Sequence, residues 1–214
     1  MAIRLVMLGP PGAGKGTQAE RFARDSGVPR ISTGDILREA VHLGTPMGKA
    51  AKAIMESGRL VSDDVVIGII RERLSRPDAA RGFVLDGFPR TVAQAEALDR
   101  LIDGESPLVI VAIDVPEETL VRRLSTRRIC QDCGWNATPG AKVCARCGGE
   151  LVQRRDDDDE VVRERLSVHR IETGPLVAHY RPRATFRSVN GDQPLDDVAK
   201  DIVSAVGAAL GVQR

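Results

Sequence analysis

One nine-residue segment constrains the fold of this chain more than any other. It reads Gly9-Pro10-Pro11-Gly12-Ala13-Gly14-Lys15-Gly16-Thr17, and it lies between an apolar run, Ile3 to Leu8, and a segment of helical periodicity. Glycines let the backbone turn its N–H groups inward around an anion, and the N-terminus of a following helix adds positive potential. The segment therefore predicts a strand, a phosphate-binding loop and a helix in succession. A polyphosphate is the expected ligand, with Lys15 reaching its outer phosphates.

The residues that would bind a metal ion beside this loop depart from the usual sequence pattern. The strict loop pattern places Ser or Thr directly after the lysine, whereas here Gly16 intervenes and the hydroxyl belongs to Thr17. A second apolar run, Phe83 to Leu85, ends in Asp86. Nucleotide sites of open α/β sheets gather at the carboxyl ends of strands, so Asp86 is predicted to hold magnesium through water. The alternative is that Asp86 and Gly87 only begin a turn.

Composition indicates one folded domain with insertions. The chain has 214 residues, and apolar runs such as Leu108 to Ile113 each precede a segment of helical composition or periodicity. This alternation predicts an α/β fold with a central parallel sheet. Lys and Arg total 31 and Asp and Glu total 30, so the formal charge of +1 gives no field toward nucleic acid or anionic lipid. No apolar run approaches the ~20 residues of a membrane helix.

Three stretches depart from the alternation. Residues 32–61 carry two short helical patterns without a strand between them, which predicts an inserted helical subdomain. Between Arg128 and Val152 the apolar periodicity disappears and Gly and Cys accumulate, so this stretch needs a staple to hold its structure. Asp156 to Glu160 is predicted to open a helix that runs toward Gly174. The stretch from Pro194 to Leu210 is predicted to close the fold as a helix.

The cysteines form two Cys-x-x-Cys pairs. They are Cys130 with Cys133 and Cys144 with Cys147, and a glycine follows each pair. Two such knuckles can supply four thiolates with no open position, which indicates a structural metal ion rather than a catalytic one. Zinc is the expected ion, and the same ligands leave iron open. A redox dithiol and four unrelated thiols are the alternatives. Thiolates on a metal favour a reducing compartment, so a cytoplasmic protein is expected.

Three motifs, taken in order, resemble those of the adenylate kinases. They are the loop at residues 9–17, Ile31-Ser32-Thr33-Gly34-Asp35 and Leu85-Asp86-Gly87-Phe88-Pro89-Arg90-Thr91. The likeness covers essentially the whole chain, and the cysteine-bearing segment is similar to the zinc-carrying lid of the bacterial long-lid form. The resemblance implies a three-layer P-loop fold. Its core would be residues 1–31, 62–125 and 158–214, its NMP-binding insertion 32–61, and its lid 126–157.

The resemblance also implies the reaction and the residues that perform it. The reaction is the reversible, magnesium-dependent conversion of ATP and AMP to two ADP by a monomer. The expected catalytic cations are Lys15, Arg38, Arg90, Arg127, Arg154 and Arg165. The expected ATP site is Gly12, Ala13, Gly14, Lys15, Gly16, Thr17, Arg123, Arg127, Asn136 and Gln193. The expected AMP site is Thr33, Arg38, Arg59, Leu60, Val61, Gly87, Phe88, Pro89, Arg90, Gln94, Arg154 and Arg165.

Two acids and three histidines complete the expectations. Asp156 and Asp157 match family acids at the junction of lid and core, where they would either meet arginines or stay solvated. Phosphoryl transfer through a loose transition state needs positioned cations and no covalent nucleophile. His42, His169 and His179 lie away from every motif in the sequence, and surface or packing roles are expected for them.

Two other functions stay open from the sequence. One is a phosphotransferase with GMP, UMP or CMP as acceptor, or with GTP as donor, which would share every phosphate contact. The long lid and Gln94, whose amide offers a donor and an acceptor to an adenine edge, favour AMP. The other is an ATPase whose zinc ribbon binds nucleic acid. Few basic or aromatic residues lie between the two cysteine pairs, which disfavours this second function.

Overall fold

The fold is built on a parallel five-stranded sheet. The structure is a computed structural model and describes residues 2–102, 106–138 and 140–211. Its strands are β1 (Ile3–Leu8), β2 (Arg30–Ser32), β3 (Gly82–Asp86), β4 (Leu108–Asp114), β5 (Arg128–Cys130), β6 (Leu151–Gln153) and β7 (Phe186–Asn190). The order across the central sheet is β2-β3-β1-β4-β7, and every neighbouring pair in it is parallel. Because β1 lies in the middle, the loop that follows it is at the centre of the sheet's carboxyl edge.

Helices cover both faces of this sheet and give three layers. They are α1 (Lys15–Ser26), α2 (Thr33–His42), α3 (Pro46–Glu56), α4 (Asp63–Leu74), α5 (Val92–Leu101), α6 (Glu117–Thr126), α7 (Asp159–Val168), α8 (Gly174–Tyr180) and α9 (Leu195–Ala209). One apolar core joins the sheet to α1, α6, α7 and α9, and a second joins it to α4, α5 and α8. The predicted α/β fold with a central parallel sheet is confirmed. Within the described ranges, no helix is long and apolar enough to span a bilayer.

The three predicted strands are present, but the sequence patterns missed the other two strands of the central sheet and the short pair β5 and β6. The apolar runs correspond to β1, β3 and β4, which are buried from both faces. The strand β2 has only three residues, and the edge strand β7 contains Arg187, Ser188 and Asn190. Neither sequence has the apolar run of a buried parallel strand, so only its pairing with a neighbour identifies it as part of the sheet.

The predicted helix from Asp156 toward Gly174 is interrupted. A short 3₁₀ turn spans Arg155–Asp157, and a single π-helical turn, His169–Thr173, separates α7 from α8. The last helical segment continues beyond Pro175, which lies in the first turn of α8, where proline is tolerated. The closing helix is confirmed as α9.

Two small substructures stand beside the sheet. Helices α2 and α3 contact each other, and among the described residues of 33–61 no strand intervenes, as predicted. Ser32, the first residue of the expected insertion, is instead the last residue of β2. In the cysteine-bearing segment, β5 pairs antiparallel with β6. The division into core, insertion and lid remains a prediction.

Candidate active site and metal centre

The phosphate-binding loop connects β1 to α1. Gly12 and Gly14 have φ angles of 85° and 88°, in the left-handed region that glycine adopts without strain. A Cβ atom on Gly12 would lie 3.0 Å from Cγ of Leu124 and 3.1 Å from the carbonyl oxygen of Leu120. The close approach of α6 therefore requires glycine here. Gly14 precedes the first residue of α1, so the N-terminal N–H groups of this helix point into the loop.

The side chain of Lys15 is held over the phosphate-binding loop by backbone carbonyl groups of the loop itself. Its Nζ donates to the carbonyl oxygens of Gly9 at 2.6 Å and Pro10 at 2.8 Å. Burial lowers the pKa of Lys15 to about 7. The negative charge of Asp86 opposes this shift, and the positive charges of Arg90 and Arg165 add to it. An anionic phosphate would reverse this shift by favouring the charged amine.

The expected ATP-binding residues come together around one cavity. All ten of them line a space of about 430 Å³ above the phosphate-binding loop. At its far end, Arg123 donates from NH2 to the carbonyl oxygen of Gly191 at 3.0 Å. Gln193 donates from Nε2 to Oδ2 of Asp201 at 2.6 Å. Asn136 lines the same cavity from the cysteine-bearing segment. The expected ATP-binding residues therefore come from this segment as well as from the loops and helices around the central sheet.

The expected AMP-binding residues line a second cavity, with two exceptions. Phe88 is fully buried in the second apolar core, so its side chain does not line this cavity. Pro89 lines the adjoining cavity that also contains Lys15. The second cavity has apolar walls from Leu37, Met55 and Val66, which were not predicted from the sequence.

Gln94 is fixed by partners that the sequence reading missed. Its Nε2 donates to Oδ1 of Asp63 at 2.7 Å, and its Oε1 accepts the backbone N–H of Arg90 at 2.8 Å. The hydroxyl of Thr91 donates to the second oxygen of Asp63 at 2.9 Å. Since an amide has two N–H groups and an oxygen with two lone pairs, each end of Gln94 keeps one position for a ligand.

Four arginines form a wall between the two cavities. Arg38, Arg90, Arg154 and Arg165 line both the cavity above the loop and the second cavity. Burial lowers the pKa of Arg165 to about 10. The negative charge of Asp156 opposes this shift, and the positive charges of Arg154 and Arg127 add to it. The guanidinium groups repel one another, so this wall favours an anion placed between them.

Asp156 and Asp157 both meet arginines instead of staying solvated. Asp156 accepts two hydrogen bonds of 2.5 Å from Arg154. Burial raises the pKa of Asp156, but the charges of Arg154 and Arg165 outweigh burial and hold the pKa below its usual value. Asp157 is completely buried and accepts hydrogen bonds from Arg127 and Arg165. These carboxylates orient three of the arginines that the resemblance implies, Arg127, Arg154 and Arg165.

Asp86 lies beside the loop, where the sequence placed it. It ends β3, is 8% exposed, and its Oδ2 accepts a hydrogen bond of 2.6 Å from Arg30. Carboxylate oxygens suit magnesium, which keeps most of its water when proteins bind it, so the donor chemistry fits this ion. The hydrogen bond from Arg30 to the Asp86 carboxylate was not predicted from the sequence.

The expected position of His169, away from every motif, was wrong, whereas its surface or packing role remains a prediction. Its ring lines a cavity with Gly9, Lys15, Arg90 and Arg165, so it lies next to the phosphate-binding loop and not away from the motifs. Burial and the charges of Lys15 and Arg90 lower the pKa of His169 to about 4, although a hydrogen bond to the backbone of Gly9 acts to raise it. His169 is therefore neutral at pH 7. The π-helical turn that begins at His169 brings it there, which the sequence pattern did not indicate.

The four cysteines converge as metal ligands. Their sulfur atoms all lie within 4.8 Å of one another, and three of the Sγ–Sγ distances are 3.4, 3.5 and 3.6 Å. A tetrahedron with zinc–sulfur bonds of ~2.3 Å has edges of about 3.8 Å, so the arrangement fits. The backbone N–H of Arg146 points to the sulfur of Cys144 at 3.4 Å. The guanidinium of Arg146 lies over the Trp135 ring, 5.6 Å from its centre.

The fold and the site define a class of protein. A phosphate-binding loop at the centre of a parallel sheet, with a second cavity across a wall of arginines, is the arrangement of a P-loop phosphotransferase. The family model for adenylate kinase matches residues 7–185. The chain belongs to the adenylate kinase family and is a nucleoside monophosphate kinase.

Curated relatives agree over nearly the full length. The adenylate kinase of Archaeoglobus fulgidus is 48% identical over 208 residues, covering 94% of this chain and 96% of that protein. The adenylate kinase of Thermodesulfovibrio yellowstonii is 49% identical over 208 residues, covering 94% and 97%. That of Symbiobacterium thermophilum is 47% identical over 215 residues, covering 97% and 100%.

Proposed function

We propose that this enzyme transfers the γ-phosphoryl group of ATP to AMP, reversibly and with magnesium, to give two ADP. The observation that carries the proposal is the wall of four arginines that lines both cavities. In-line transfer needs a donor phosphate and an acceptor phosphate on the two sides of one cluster of cations. ATP in the cavity above the phosphate-binding loop, called the donor cavity, would meet AMP in the second cavity, called the acceptor cavity, at this wall.

Each part of the chain has a role in this reaction. Backbone N–H groups at the start of α1 and the amine of Lys15 bind the donor phosphates. Arg38 and Arg90 bind the acceptor phosphate, while Arg127, Arg154 and Arg165 stabilise charge on the transferred group. Asp86 would hold magnesium through water, and this ion, when bound, neutralises charge on the donor phosphates. The protein supplies positioned cations and no covalent nucleophile.

Adenine specificity is assigned to Gln94. Its amide is oriented by Asp63 and by the backbone of Arg90, so its remaining N–H and lone pair have fixed directions. Adenine offers a neighbouring acceptor and donor on one edge, which matches that pair, whereas the edge of guanine reverses the pattern. The apolar walls at Leu37, Met55 and Val66 supply contact area for a purine ring.

A coupled assay over every nucleoside monophosphate tests the proposal. AMP should be the preferred acceptor and ATP the preferred donor, and the activity should need magnesium. The bisubstrate mimic in which five phosphates join two adenosines should bind tightly, because only adjoining ATP and AMP pockets accommodate both ends. A preference for UMP, CMP or GMP would support the alternative acceptors. Tight, salt-sensitive binding of an oligonucleotide would support the nucleic-acid ATPase.

Zinc, location and oligomeric state belong to the same proposal. The four sulfur atoms leave no ligand position open, so a zinc ion would be structural and would order residues 126–157. Four thiolate ligands suit a reducing compartment, which supports a cytoplasmic enzyme. We propose that it acts as a monomer, since one chain supplies every expected nucleotide contact. Metal analysis and sedimentation of the purified protein test these points.

A further inference from the structure

Arg30 lies among three carboxylates beside the phosphate-binding loop. It begins β2, and its NH2 is 2.6 Å from Oδ2 of Asp86 and 2.9 Å from Oδ2 of Asp35. Its NH1 is 3.5 Å from Oε2 of Glu20. The Arg30 side chain is 21% exposed and the Asp86 side chain 11%, so water screens their attraction only in part. The guanidinium therefore bridges Asp86 and Asp35.

This bridge occupies a defined place relative to the donor phosphates. A Cβ atom on Gly16 would lie 3.3 Å from NH2 of Arg30 and 3.3 Å from Oδ2 of Asp86. Gly16 directly follows Lys15, at the position where the strict loop pattern carries the hydroxyl that meets magnesium. Gly16, Arg30, Asp35 and Asp86 all line the donor cavity. The absence of a side chain on Gly16 leaves room for the ion pair.

The surroundings of Arg30 favour the charged form of its guanidinium. Burial alone lowers the pKa of Arg30, but the charges of Asp86 and Asp35 outweigh burial and raise it. The guanidinium is thus always charged, and it neutralises the carboxylates that would attract a divalent cation. A hydrated magnesium ion at Asp86 must either share this carboxylate with Arg30 or displace the guanidinium.

We propose that Arg30 is a positioning residue that holds the carboxylates of Asp86 and Asp35 and thereby weakens the binding of a divalent cation at the donor phosphates. This inference rests on the proposed function, because it concerns the magnesium that accompanies the donor nucleotide. It acts through Asp86 and Asp35, so Arg30 need not touch the nucleotide. Removal of its charge should make the site bind the cation more tightly.

Manganese binding to the complex with the bisubstrate mimic tests this role. Free Mn²⁺ is measured by electron paramagnetic resonance with enzyme in excess over the mimic, so that the affinity of the preformed complex is obtained. Arg30→Gln and Arg30→Met should each bind Mn²⁺ roughly fivefold to tenfold more tightly than the wild type. Arg30→Lys keeps a positive charge and should return the affinity toward the wild-type value. The half-saturating magnesium concentration in turnover should fall in parallel.

A matched control separates this effect from loss of positive charge in general. Arg24 pairs with Asp25 on the exposed face of α1, away from the donor cavity, and Arg24→Gln should leave the Mn²⁺ affinity unchanged. Equal Mn²⁺ affinities in wild type, Arg30→Gln and Arg30→Met would overturn the inference. A Lys variant that binds as tightly as the Gln variant would do the same, because charge would then not be the cause. Failure of the wild type to bind the mimic would instead refute the proposed function.

Discussion

Arg127 and Asp157 are joined by two hydrogen bonds of 2.6 Å, from Nε and NH2 of the guanidinium to both oxygens of the carboxylate. Arg127 directly follows α6, and Asp157 precedes α7, so the pair ties together the two ends of the expected lid. Arg165 adds a third hydrogen bond of 2.8 Å to the same carboxylate. The pair thus links the base of the cysteine-bearing segment to the wall of arginines.

Loss of the Asp157 charge should destabilise the protein. In Asp157→Asn the guanidinium of Arg127 loses its carboxylate partner and that of Arg165 keeps only Asp156, which costs about 3 kcal/mol in the free energy of unfolding. Urea denaturation measures this loss. Asp159→Asn, at an exposed position in the first turn of α7, is the control and should lose well under 1 kcal/mol. Equal stability of the two variants would mean that the buried pair contributes nothing.

Replacement of Lys15 should abolish most activity without unfolding the chain. Lys15→Met removes a charge that acts on phosphate, and loss of one such donor costs roughly 100- to 1000-fold in turnover. Its Tm should not fall, because burial already disfavours the charged amine in the nucleotide-free protein. Lys52→Met, on the exposed face of α3, should retain full activity. Normal turnover in Lys15→Met would show that the loop does not bind the donor.

Nucleotide binding should be accompanied by proton uptake at pH 8. The pKa of Lys15 is about 7 without a ligand, so the amine is then mostly neutral, and phosphate raises the pKa again. Calorimetry of the bisubstrate mimic in buffers of different ionisation enthalpy measures the uptake. It should fade below about pH 6, where Lys15 is already charged, and be absent in Lys15→Met. Proton release at pH 8 would contradict the assignment.

The same shift affects stability in a defined pH window. The unfolded chain keeps the Lys15 proton up to about pH 10.4, whereas the folded protein loses it near pH 7. Between these values the unfolded state binds more protons, so this group makes the nucleotide-free protein more stable as pH rises. Comparison of the wild type with Lys15→Met over pH 7 to 10 isolates its contribution. A wild-type stability that fell relative to the variant would have the wrong sign.

Removal of the metal should loosen the cysteine-bearing segment before the core. Cys130→Ser or chelation takes away a ligand set that orders residues 126–157, which have little apolar core of their own. Hydrogen exchange by mass spectrometry should show loss of protection there, with the central sheet unaffected. A chelator added to Cys130→Ser should have no further effect. Unchanged exchange in the variant would argue against a structural metal.

Asp63 should affect the acceptor nucleotide alone. In Asp63→Ala the amide of Gln94 loses the partner that fixes its direction, so the KM for AMP should rise about tenfold while the KM for ATP stays constant. Asp64→Ala, at the exposed neighbouring position in the first turn of α4, is the matched control. A rise in both KM values would indicate a general structural defect instead.

Much of the fold could be predicted because its signals are local. The apolar runs that became β1, β3 and β4 are buried on both faces, and burial on both faces requires continuous apolar sequence. The short strand β2 and the polar edge strand β7 lack that signal. Their place depends on hydrogen bonds to strands distant in sequence, which no local pattern encodes.

The sequence alone determined the phosphate-binding loop and the two cysteine pairs, because in each of them the spacing is itself the chemical requirement, whereas the arginines of the site were expected only from the resemblance to the adenylate kinases. Only the tertiary structure placed Arg30, Asp63 and His169 next to those motifs. These residues belong to no motif of their own. Their positions follow from how strands and helices pack, and the partners that each of them meets are distant from it in the sequence.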